Sequence, residues 1–456
     1  MARNINLLKD ILGFGEGNAR TNRAKKNIVG SLVIKGLNIA IGLVLVRLTI
    51  NYLEPTKYGI WITLSSVIGW FGFFDIGLGN GLRNKFAESI ATGKHELARV
   101  YVSTTYAILT MIVIGVLIVF FVVNPFLNWN SILNAGQDVA FQRELSVLAL
   151  VVFTFFCIRF VLKLLTIIIT ADQRPALASS FDLLGQIISL VLIYILIKTT
   201  EGSLLYLGII ITGAPILVLL LSSAWFFNGK YKAYRPSYRT VDLSKAKDLL
   251  NLGIKFFIIQ IAAILLYATN NMIITQLFGP EQVTPYNVVF KYFSVLTMGL
   301  SIIIFPFWSA FTEAWVKKEI DWIKNIMRKL FLLWFILAFV EMVMLIFSNW
   351  AYDIWIGDKV IIPFTMSLMV GVWVLINAWN SIFSQFLNGV GKIKLQLYIG
   401  ISGALLNVPL AIFLGHQLGI DGVLLANVIV GVVGACIYPF QYKKLINNNA
   451  KGIWNA

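Results

Sequence analysis

The chain has 456 residues, of which 58% are hydrophobic and only 13% are charged, and its mean hydropathy is +0.82. A soluble protein of this length could not hide so much apolar surface, whereas a helical membrane protein leaves that surface to lipid. The net charge of +16 could indicate a nucleic-acid partner, but the distribution of the charges along the chain argues against one.

Twelve apolar segments follow one another, and several reach the ~20 residues that a spanning helix needs. Because lipid offers the backbone no hydrogen-bond partner, spanning segments are helices or closed barrels, and runs this long with so little alternation are not strands. The sequence therefore predicts an all-α polytopic membrane protein with twelve transmembrane helices. The segments lie at 28–50, 58–79, 101–124, 145–170, 176–198, 204–227, 249–277, 284–312, 329–348, 363–388, 395–415 and 421–440.

Basic residues are concentrated between alternate segments. With the N-terminus placed in the cytoplasm, most Lys and Arg residues fall in the tails and loops on that side, whereas only Lys57, Arg143 and Lys359 fall in outer loops. This is the positive-inside bias of membrane proteins, and it predicts that both termini are cytoplasmic. The surplus of positive charge is then a signal of topology, and no nucleic-acid partner is expected.

The longest connection on the cytoplasmic side, residues 228–248, is rich in Lys and Arg and lies near the midpoint of the chain. That position is typical of a linker between two six-helix lobes. We predict an N-lobe at 28–227 and a C-lobe at 249–440, with cytoplasmic tails at 1–27 and 441–456.

A weak internal repeat supports two lobes. Pro55 and Pro280 stand at the entrances of segments two and eight, Phe86 and Phe311 stand near their exits, and both pairs are 225 positions apart. Each predicted lobe has an even number of spans, so a pseudo-twofold axis normal to the membrane would relate them. Coincidence among apolar helices with similar ends is the alternative.

Six cationic side chains lie inside the apolar segments, where a charge is costly unless it faces a bundle interior or a water-filled cavity. Lys35 and Lys291 each belong to a stripe of polar residues along one face of a helix, and they are predicted to line such a cavity. Lys255 is a third candidate. The alternative is that their long stems lift the ammonium groups to the interface. Arg47 lies near the outer boundary, where snorkelling or an outer-gate contact is expected. A cavity lined with positive charge favours an anionic cargo.

The two remaining cations, Arg159 and Lys163, are also candidates for binding the cargo in this cavity. They stand one turn apart on the same face of segment four. Like charges at this spacing repel each other, so they need anionic partners or water. Asp182 in segment five is the candidate partner of either one. Such a pair would either hold two helices together or open during a transport cycle.

Acidic residues in apolar surroundings are the candidates for coupling to H⁺ or Na⁺, and their context does not decide the ion. Asp75 also begins a stretch in which three glycines alternate with other residues, and it can pair with Arg83 or Lys85. Glycine allows a helix to break or a backbone to approach closely, so a hinge or tight packing site is predicted there. The gating and coupling candidates are Asp75, Arg83, Asp182, Glu341 and Arg47.

Amide and indole side chains recur at helical spacing in several segments. In lipid such amides often join helices to one another. The alternative is recognition of a sugar, because amides bond hydroxyls and an indole can stack on a pyranose ring. The candidates for sugar contacts are Asn38, Gln260, Asn271, Asn287, Trp373, Asn377 and Asn380.

Motifs of catalysis and metal binding are absent from the sequence. We find no HExxH, GxSxG or CxxC pair, no nucleotide-binding motif and no carboxylate pair in a catalytic context. The sequence predicts that the protein is not an enzyme and that it needs no metal or cofactor apart from a coupling ion.

One stretch, Leu53 to Thr105, resembles bacterial O-antigen flippases of the Wzx type. The matching parts are Tyr58 to Trp61, Asp75 to Glu88, and Ala98-Arg99 before Tyr101-Val102-Ser103. The two-by-six layout of the whole chain is similar to the wider superfamily of multidrug and polysaccharide exporters.

This resemblance implies two six-helix lobes of the MATE type around a central cavity that opens alternately to each side. It implies a bacterial inner-membrane flippase that moves an undecaprenyl-diphosphate-linked repeat unit from the cytoplasmic to the periplasmic leaflet. A polysaccharide polymerase and glycosyltransferases would be its protein partners. Two alternatives remain. A cation-coupled multidrug antiporter would be expected to carry buried acids, and a membrane-embedded glycan enzyme would be expected to carry a large outer loop.

Overall fold

The computed structural model describes residues 19–72, 77–136, 138–172, 174–249, 269–305 and 307–455, and within these ranges the regular structure is helical. The helices of the first half are α1 (Ala19–Leu53), α2 (Pro55–Trp70), α3 (Leu78–Ala91), α4 (His95–Val123), α5 (Trp129–Ile132), α6 (Val139–Leu162), α7 (Leu164–Ala171), α8 (Pro175–Thr199) and α9 (Leu204–Asn228). Those of the second half are α10 (Thr269–Phe278), α11 (Val283–Ile304), α12 (Phe307–Val316), α13 (Ile320–Ile346), α14 (Ser348–Trp355), α15 (Phe364–Val390), α16 (Lys394–Leu418) and α17 (Ile420–Ile446).

Ten helical stretches in the described part of the chain are long and apolar enough to cross a membrane. Large apolar side chains such as Val122, Leu221 and Phe339 are more than half exposed on their outer faces, as expected where lipid replaces a protein neighbour. The prediction of an all-α polytopic membrane protein is confirmed. Predicted segment two is not among the ten, and most of segment seven falls on residues 250–268, outside the described ranges.

Segment two, predicted as one helix over 58–79, is interrupted. Helix α2 ends at Trp70, and a new helix starts at Leu78, after Gly77 with φ +74°. A residue in this left-handed conformation cannot continue a right-handed helix, and glycine adopts it at little cost. The tight packing predicted for this stretch is present at Gly81, where an added Cβ atom would lie 2.3 Å from the carbonyl oxygen of Leu249.

Two further predicted segments also differ from the helices. Segment four is divided at Lys163 into α6 and α7. In segment eight, α11 ends at Ile304 rather than continuing to 312. The sequence carries Pro306 just beyond this end, and proline has no N–H group with which to extend a helix.

The helices pack into two groups. In the first, α8 contacts α1 and α9, and α9 contacts α6; in the second, α17 contacts α15 and α16, and α15 contacts α11. The two groups meet mainly along α2, which packs against α10 and α11. We call the end of the bundle that carries residues 228–248 the linker face, and the end that carries the turns before α2 and α11 the turn face.

Residues 228–248 lie against the first group of helices rather than projecting from it. Ser103 and Thr240 share a hydrogen bond of 2.7 Å between their hydroxyl groups, and the backbone N–H of Asp242 donates to the Thr104 hydroxyl at 3.0 Å. The tyrosine hydroxyl of Tyr234 lies 2.7 Å from Nδ1 of His95. These contacts give the connection a defined course across the linker face.

Asp172 organises a polar cluster where this connection begins. Its carboxylate accepts hydrogen bonds from Lys230 Nζ and, at 2.7 Å, from Tyr231 Oη, and Arg174 Nε lies at 3.4 Å. Partial burial alone would raise the pKa of Asp172, but the hydrogen bonds from Lys230 and Tyr231 and the charges of Lys230 and Arg174 lower it overall.

Asp172→Asn is expected to lower stability at pH 7 by about 1 kcal/mol or less, because the ion pairs are partly exposed. A carboxyl group whose pKa is lowered on folding stabilises the protein above its unfolded pKa, and this contribution is lost as the pH falls through the folded value. The deficit of the variant should therefore shrink in acid, as measured by thermal unfolding in detergent. Asp358→Asn, at an exposed position without a described ion pair, is the control.

Candidate functional site

A cavity of about 530 Å³ lies among helices of both groups. Arg159 of α6, Asp182 of α8 and Lys291 of α11 line it together with Asn38 of α1 and Trp61 of α2. Four residues chosen from the sequence as substrate-binding or coupling candidates, on four different helices, thus meet at one place.

A second cavity of about 360 Å³ lies between α1, α8 and α11. Lys35 and Lys291 both line it, and Asn38 and Gln186 line both this cavity and the first. The second cavity reaches Ser301 near the end of α11, so the space leads from the middle of the bundle towards the linker face. The two lysines favoured by the sequence therefore share one continuous region, which we call the central cavity.

The polar groups of the central cavity are incompletely satisfied. Lys291 Nζ has no ion pair or hydrogen bond within the described ranges. The side-chain oxygens of Asn38 and Gln186 are buried and accept no hydrogen bond from a described residue. Buried acceptors without partners are costly in a folded protein. A ligand that carries negative charge would satisfy the ammonium group, whereas the two amide oxygens would have to turn towards the cavity to meet a hydroxyl group.

Arg159 forms an ion pair across the first cavity. Its Nη2 donates to Asp182 Oδ1 at 3.0 Å, and the two side chains are 39% and 45% exposed. Of the two pairings left open by the sequence, the structure contains the one with Arg159. Lys163 forms no ion pair with a described residue, and it lines a third cavity.

Exchanging the two charges tests this contact. Arg159→Asp or Asp182→Arg alone should lower the unfolding temperature of the purified protein, because each places two like charges beside one another. The double variant should recover most of the loss, with a coupling energy of about 0.5–1 kcal/mol because the pair is partly exposed. If the double variant is no more stable than the less stable of the two single variants, the pair is excluded as a stabilising contact.

A third cavity of about 570 Å³ lies at the linker face, within the first group of helices. Arg83 of α3, Arg159 of α6 and Lys163 at the junction of α6 and α7 line it. Arg159 therefore borders both this cavity and the central cavity. The sequence did not indicate that Arg83, predicted as a gating residue, would lie beside this pair.

Several amides predicted to contact sugars are occupied in helix packing instead. Asn287 Nδ2 donates to Asn271 Oδ1 at 2.9 Å, and Asn271 Nδ2 donates to the Ser66 hydroxyl at 2.7 Å, which joins α11, α10 and α2. Asn380 Nδ2 donates to the carbonyl oxygen of Gly431 at 2.9 Å. In this conformation the amide N–H groups of the three residues are bonded to neighbouring groups of the protein, and a contact with sugar stays a prediction for them.

Trp373 and Asn377 also lie away from the three cavities. The Trp373 ring packs at 5.6 Å from that of Phe290, and Asn377 Nδ2 donates to the carbonyl oxygen of Trp373. The remaining candidates Asp75, Lys255 and Gln260 lie outside the described residues.

Glu341 is only 3% exposed, and neither of its carboxyl oxygens has a hydrogen-bond partner in the described ranges. It lies beside Gly371 of α15, where an added Cβ atom would stand 3.0 Å from its Oε1. It does not line any of the three cavities. A role in coupling to an ion stays a prediction for this residue.

The turn face is closed by two reciprocal contacts. An added Cβ atom on Gly59 would lie 1.7 Å from the carbonyl oxygen of Pro280, and the Thr284 hydroxyl donates to the carbonyl oxygen of Pro55 at 2.5 Å. Residues 55 and 280, and residues 59 and 284, are each separated by the same 225 positions as the predicted repeat. In each repeat, the residue four positions after the proline therefore contacts the proline carbonyl oxygen of the other repeat.

Further contacts on the turn face join the same two groups of helices. Thr63 and Thr275 share a hydrogen bond of 2.7 Å, and Trp355 Nε1 donates to the carbonyl oxygen of Leu43 at 2.9 Å. Arg47 Nη1 donates to the carbonyl oxygen of Ile354 at 3.1 Å, which accords with the predicted outer-gate contact. The structure is therefore closed at the turn face, while the central cavity extends towards the linker face.

Two groups of membrane-spanning helices around a polar central cavity define a multi-pass membrane transporter with a MATE-type two-lobed fold. Solved structures with this fold agree. The inward-facing conformation of a multidrug resistance MATE family transporter of the MOP superfamily has a TM-score of 0.75 at 15% identity, covering 93% of this chain and 100% of that one. An outward-facing conformation of such a transporter has a TM-score of 0.65 at 16% identity, covering 94% and 97%.

The chain belongs to the polysaccharide biosynthesis protein family, whose model matches residues 24–311, and the MatE family model matches residues 256–413. It is 20% identical over 367 residues to a protein of Yersinia pseudotuberculosis provisionally named an O-antigen export protein, covering 78% of this chain and 80% of the relative. It is 22% identical over 415 residues to a Salmonella typhimurium protein provisionally named an O-antigen transporter, covering 88% and 91%. The relatives are named as transporters rather than enzymes.

Proposed function

We propose that this protein flips an undecaprenyl-diphosphate-linked oligosaccharide from the cytoplasmic to the periplasmic leaflet of the bacterial inner membrane. The observation that carries the proposal is the central cavity, in which Lys291, Asn38 and Gln186 lie together and the Lys291 ammonium group has no partner among the described residues. A diphosphate would pair with the ammonium groups of Lys291 and Lys35, and sugar hydroxyls would donate to the amide oxygens once these side chains turn towards the cavity.

The cavity lowers the main cost of transport. Moving a diphosphate into a low-dielectric medium is unfavourable, and cationic side chains and water reduce that cost. The polyprenyl chain has no such difficulty and would stay in lipid. Met298, Ile302 and Val295 on α11 give the second cavity an apolar wall on which the first isoprene units would pack.

The charges and the closed turn face support this direction of transport. By the positive-inside bias, the linker face, with its Lys and Arg residues, would be cytoplasmic. The turn face would then be periplasmic, and the conformation described above would accept cargo from the cytoplasmic side. Rocking of the two lobes about the central cavity would open the turn face and close the linker face.

A cation-coupled multidrug antiporter is the second candidate, because the solved structures of this fold named above belong to multidrug transporters. The charges of the cavity argue against it. Lys35, Lys291 and Arg159 line the cavity, and Asp182, the one acid among its described lining residues, is paired with Arg159. An organic cation would be repelled by this lining. In either case Asp182 and Glu341 are our proposed sites for coupling to H⁺ or Na⁺.

Reconstitution distinguishes the two candidates. The purified protein in liposomes should expose a fluorescent undecaprenyl-diphosphate-linked oligosaccharide, loaded in one leaflet, to an impermeant lectin or glycosidase on the other side. It should not move ethidium. Ethidium transport without flipping of the glycolipid would favour the antiporter.

A polysaccharide polymerase and glycosyltransferases are the proposed protein partners. Genes for these proteins adjacent to the gene for this chain would support them.

A further inference from the structure

The cavity at the linker face has the lining of a second anion site. Arg83 and Lys163 form no ion pair with any described residue, and none of the described residues that line this space is acidic. Arg159 and Lys163 are one turn apart, a spacing at which like charges destabilise a helix by a few tenths of a kcal/mol. The only described counter-charge of the three cations is Asp182, which contacts Arg159 from the side of the central cavity. Among the described residues, the linker-face cavity therefore combines two cations that lack a counter-charge with a third that is shared.

The fold brings these cations together from separate elements. Helix α3 carries Arg83 one turn after Gly79, and both residues line the cavity. Arg159 stands in the last turn of α6, and Lys163 occupies the junction between α6 and α7. Helix α3 packs against α7, so the cations that these two parts of the chain carry line one space.

One wall of the cavity is apolar. The rings of Phe156 and Phe160 are stacked with centroids 5.4 Å apart, and Leu109 and Ile167 lie on the same lining. The hydroxyl of Thr166 donates to the backbone of its own helix, so it has no hydrogen left for an anion. The volume of about 570 Å³ lies within the ~300–1,000 Å³ typical of ligand sites.

We propose that this cavity is a loading site for the diphosphate of a polyprenyl lipid at the cytoplasmic side, separate from the central cavity. The cations bind the diphosphate, and the aromatic wall packs against the first isoprene units, a combination that a free phosphate or a nucleotide would not use. Arg159 then lies at the boundary of both sites. When its guanidinium group releases Asp182 and pairs with the diphosphate, the headgroup moves into the central cavity. This inference rests on the proposed function.

The test uses the full chain in nanodiscs of neutral lipid, with geranylgeranyl diphosphate as the probe. Replacing Arg83 and Lys163 together with Gln should weaken its binding by roughly a hundredfold or more, because two charge-assisted contacts are removed. The matched control is Lys85→Gln with Lys94→Gln. These residues carry the same charge near the same face, Lys85 pairs with Glu88, and neither lines the cavity. Arg83→Lys with Lys163→Arg should retain most of the binding, which separates loss of charge from loss of folding.

Three results would overturn the loading site. Unchanged binding in the Arg83/Lys163 variant would exclude these cations as the site, and an equal loss in the Lys85/Lys94 control would indicate a general effect of charge. Inorganic pyrophosphate binding as tightly as geranylgeranyl diphosphate would show that the site takes a free anion rather than a lipid.

The central-cavity variant Lys35→Gln with Lys291→Gln separates this inference from the proposed function. It should block flipping, and because it removes the cations of the central cavity that would also bind a diphosphate, the probe that still binds reports the loading site. If the wild-type protein binds the probe through Arg83 and Lys163 but flips no glycolipid, the loading site stands and the proposed function fails. If flipping and probe binding both survive loss of Arg83 and Lys163, the loading site fails and the proposed function stands.

Discussion

Gly59→Ala is expected to abolish transport while leaving the protein folded in the membrane. The new methyl carbon would lie 1.7 Å from the carbonyl oxygen of Pro280, which is backbone and cannot rotate away. Overpacking of this kind costs about 1–3 kcal/mol, and the cost applies only to the conformation in which the turn face is closed. The balance between closed and open turn faces should therefore move roughly tenfold or more towards the open state.

Cysteine labelling can measure this shift. Thr49 lines the central cavity and is buried in the structure. In a background with Cys157 and Cys436 replaced by Ser, a Thr49→Cys variant should react faster with an impermeant maleimide added on the side of the turn face when Gly59→Ala is also present. Gly69→Ala is the matched control, because Gly69 is on the same helix and nothing lies within 4 Å of an added Cβ atom. Equal labelling and transport in the two alanine variants would show that the contact between Gly59 and Pro280 does not hold the turn face closed.

Lys291→Ala is expected to cause the other large loss. Lys291 borders both parts of the central cavity and has no described partner, so its ammonium group is free to bind cargo. A hydrogen bond to a charged group contributes about 1.5–3 kcal/mol, which corresponds to roughly tenfold to a hundredfold in apparent affinity for the glycolipid. Lys291→Arg should keep part of the activity, because the charge remains while the geometry changes.

The liposome flipping assay measures this loss, with surface glycan display in cells as a second readout. Lys198→Ala is the control, because Lys198 is exposed near the end of α8 and lines none of the three cavities. Lys35→Ala should have a smaller effect, because Lys35 borders only the second part of the cavity and is exposed. Full flipping in Lys291→Ala would remove the central cavity from the proposed mechanism.

Part of the candidate site could be predicted from spacing along single helices. Lys35 and Asn38 share a face of α1, and Lys291 and Ser294 share a face of α11, and these faces do line the cavity. Spacing alone does not decide the role of Asn271 and Asn287. Their spacing is equally regular, but it cannot distinguish an amide that faces water from one that bonds the next helix, and here the partners come from α2 and α10.

The sequence by itself determined the class of structure. Lipid leaves the backbone no external hydrogen-bond partner, so long apolar segments must be helical, and their loop charges predict a topology, whatever the neighbours of each helix. Only the tertiary structure decided which distant residues meet. Arg47 and Ile354 are 307 positions apart, and Gly59 meets Pro280 across the two repeats. Such contacts depend on how the two groups of helices pack against one another, and similar helix surfaces can pack in more than one way. The conformation of the whole protein therefore decides which polar residues face the cavity.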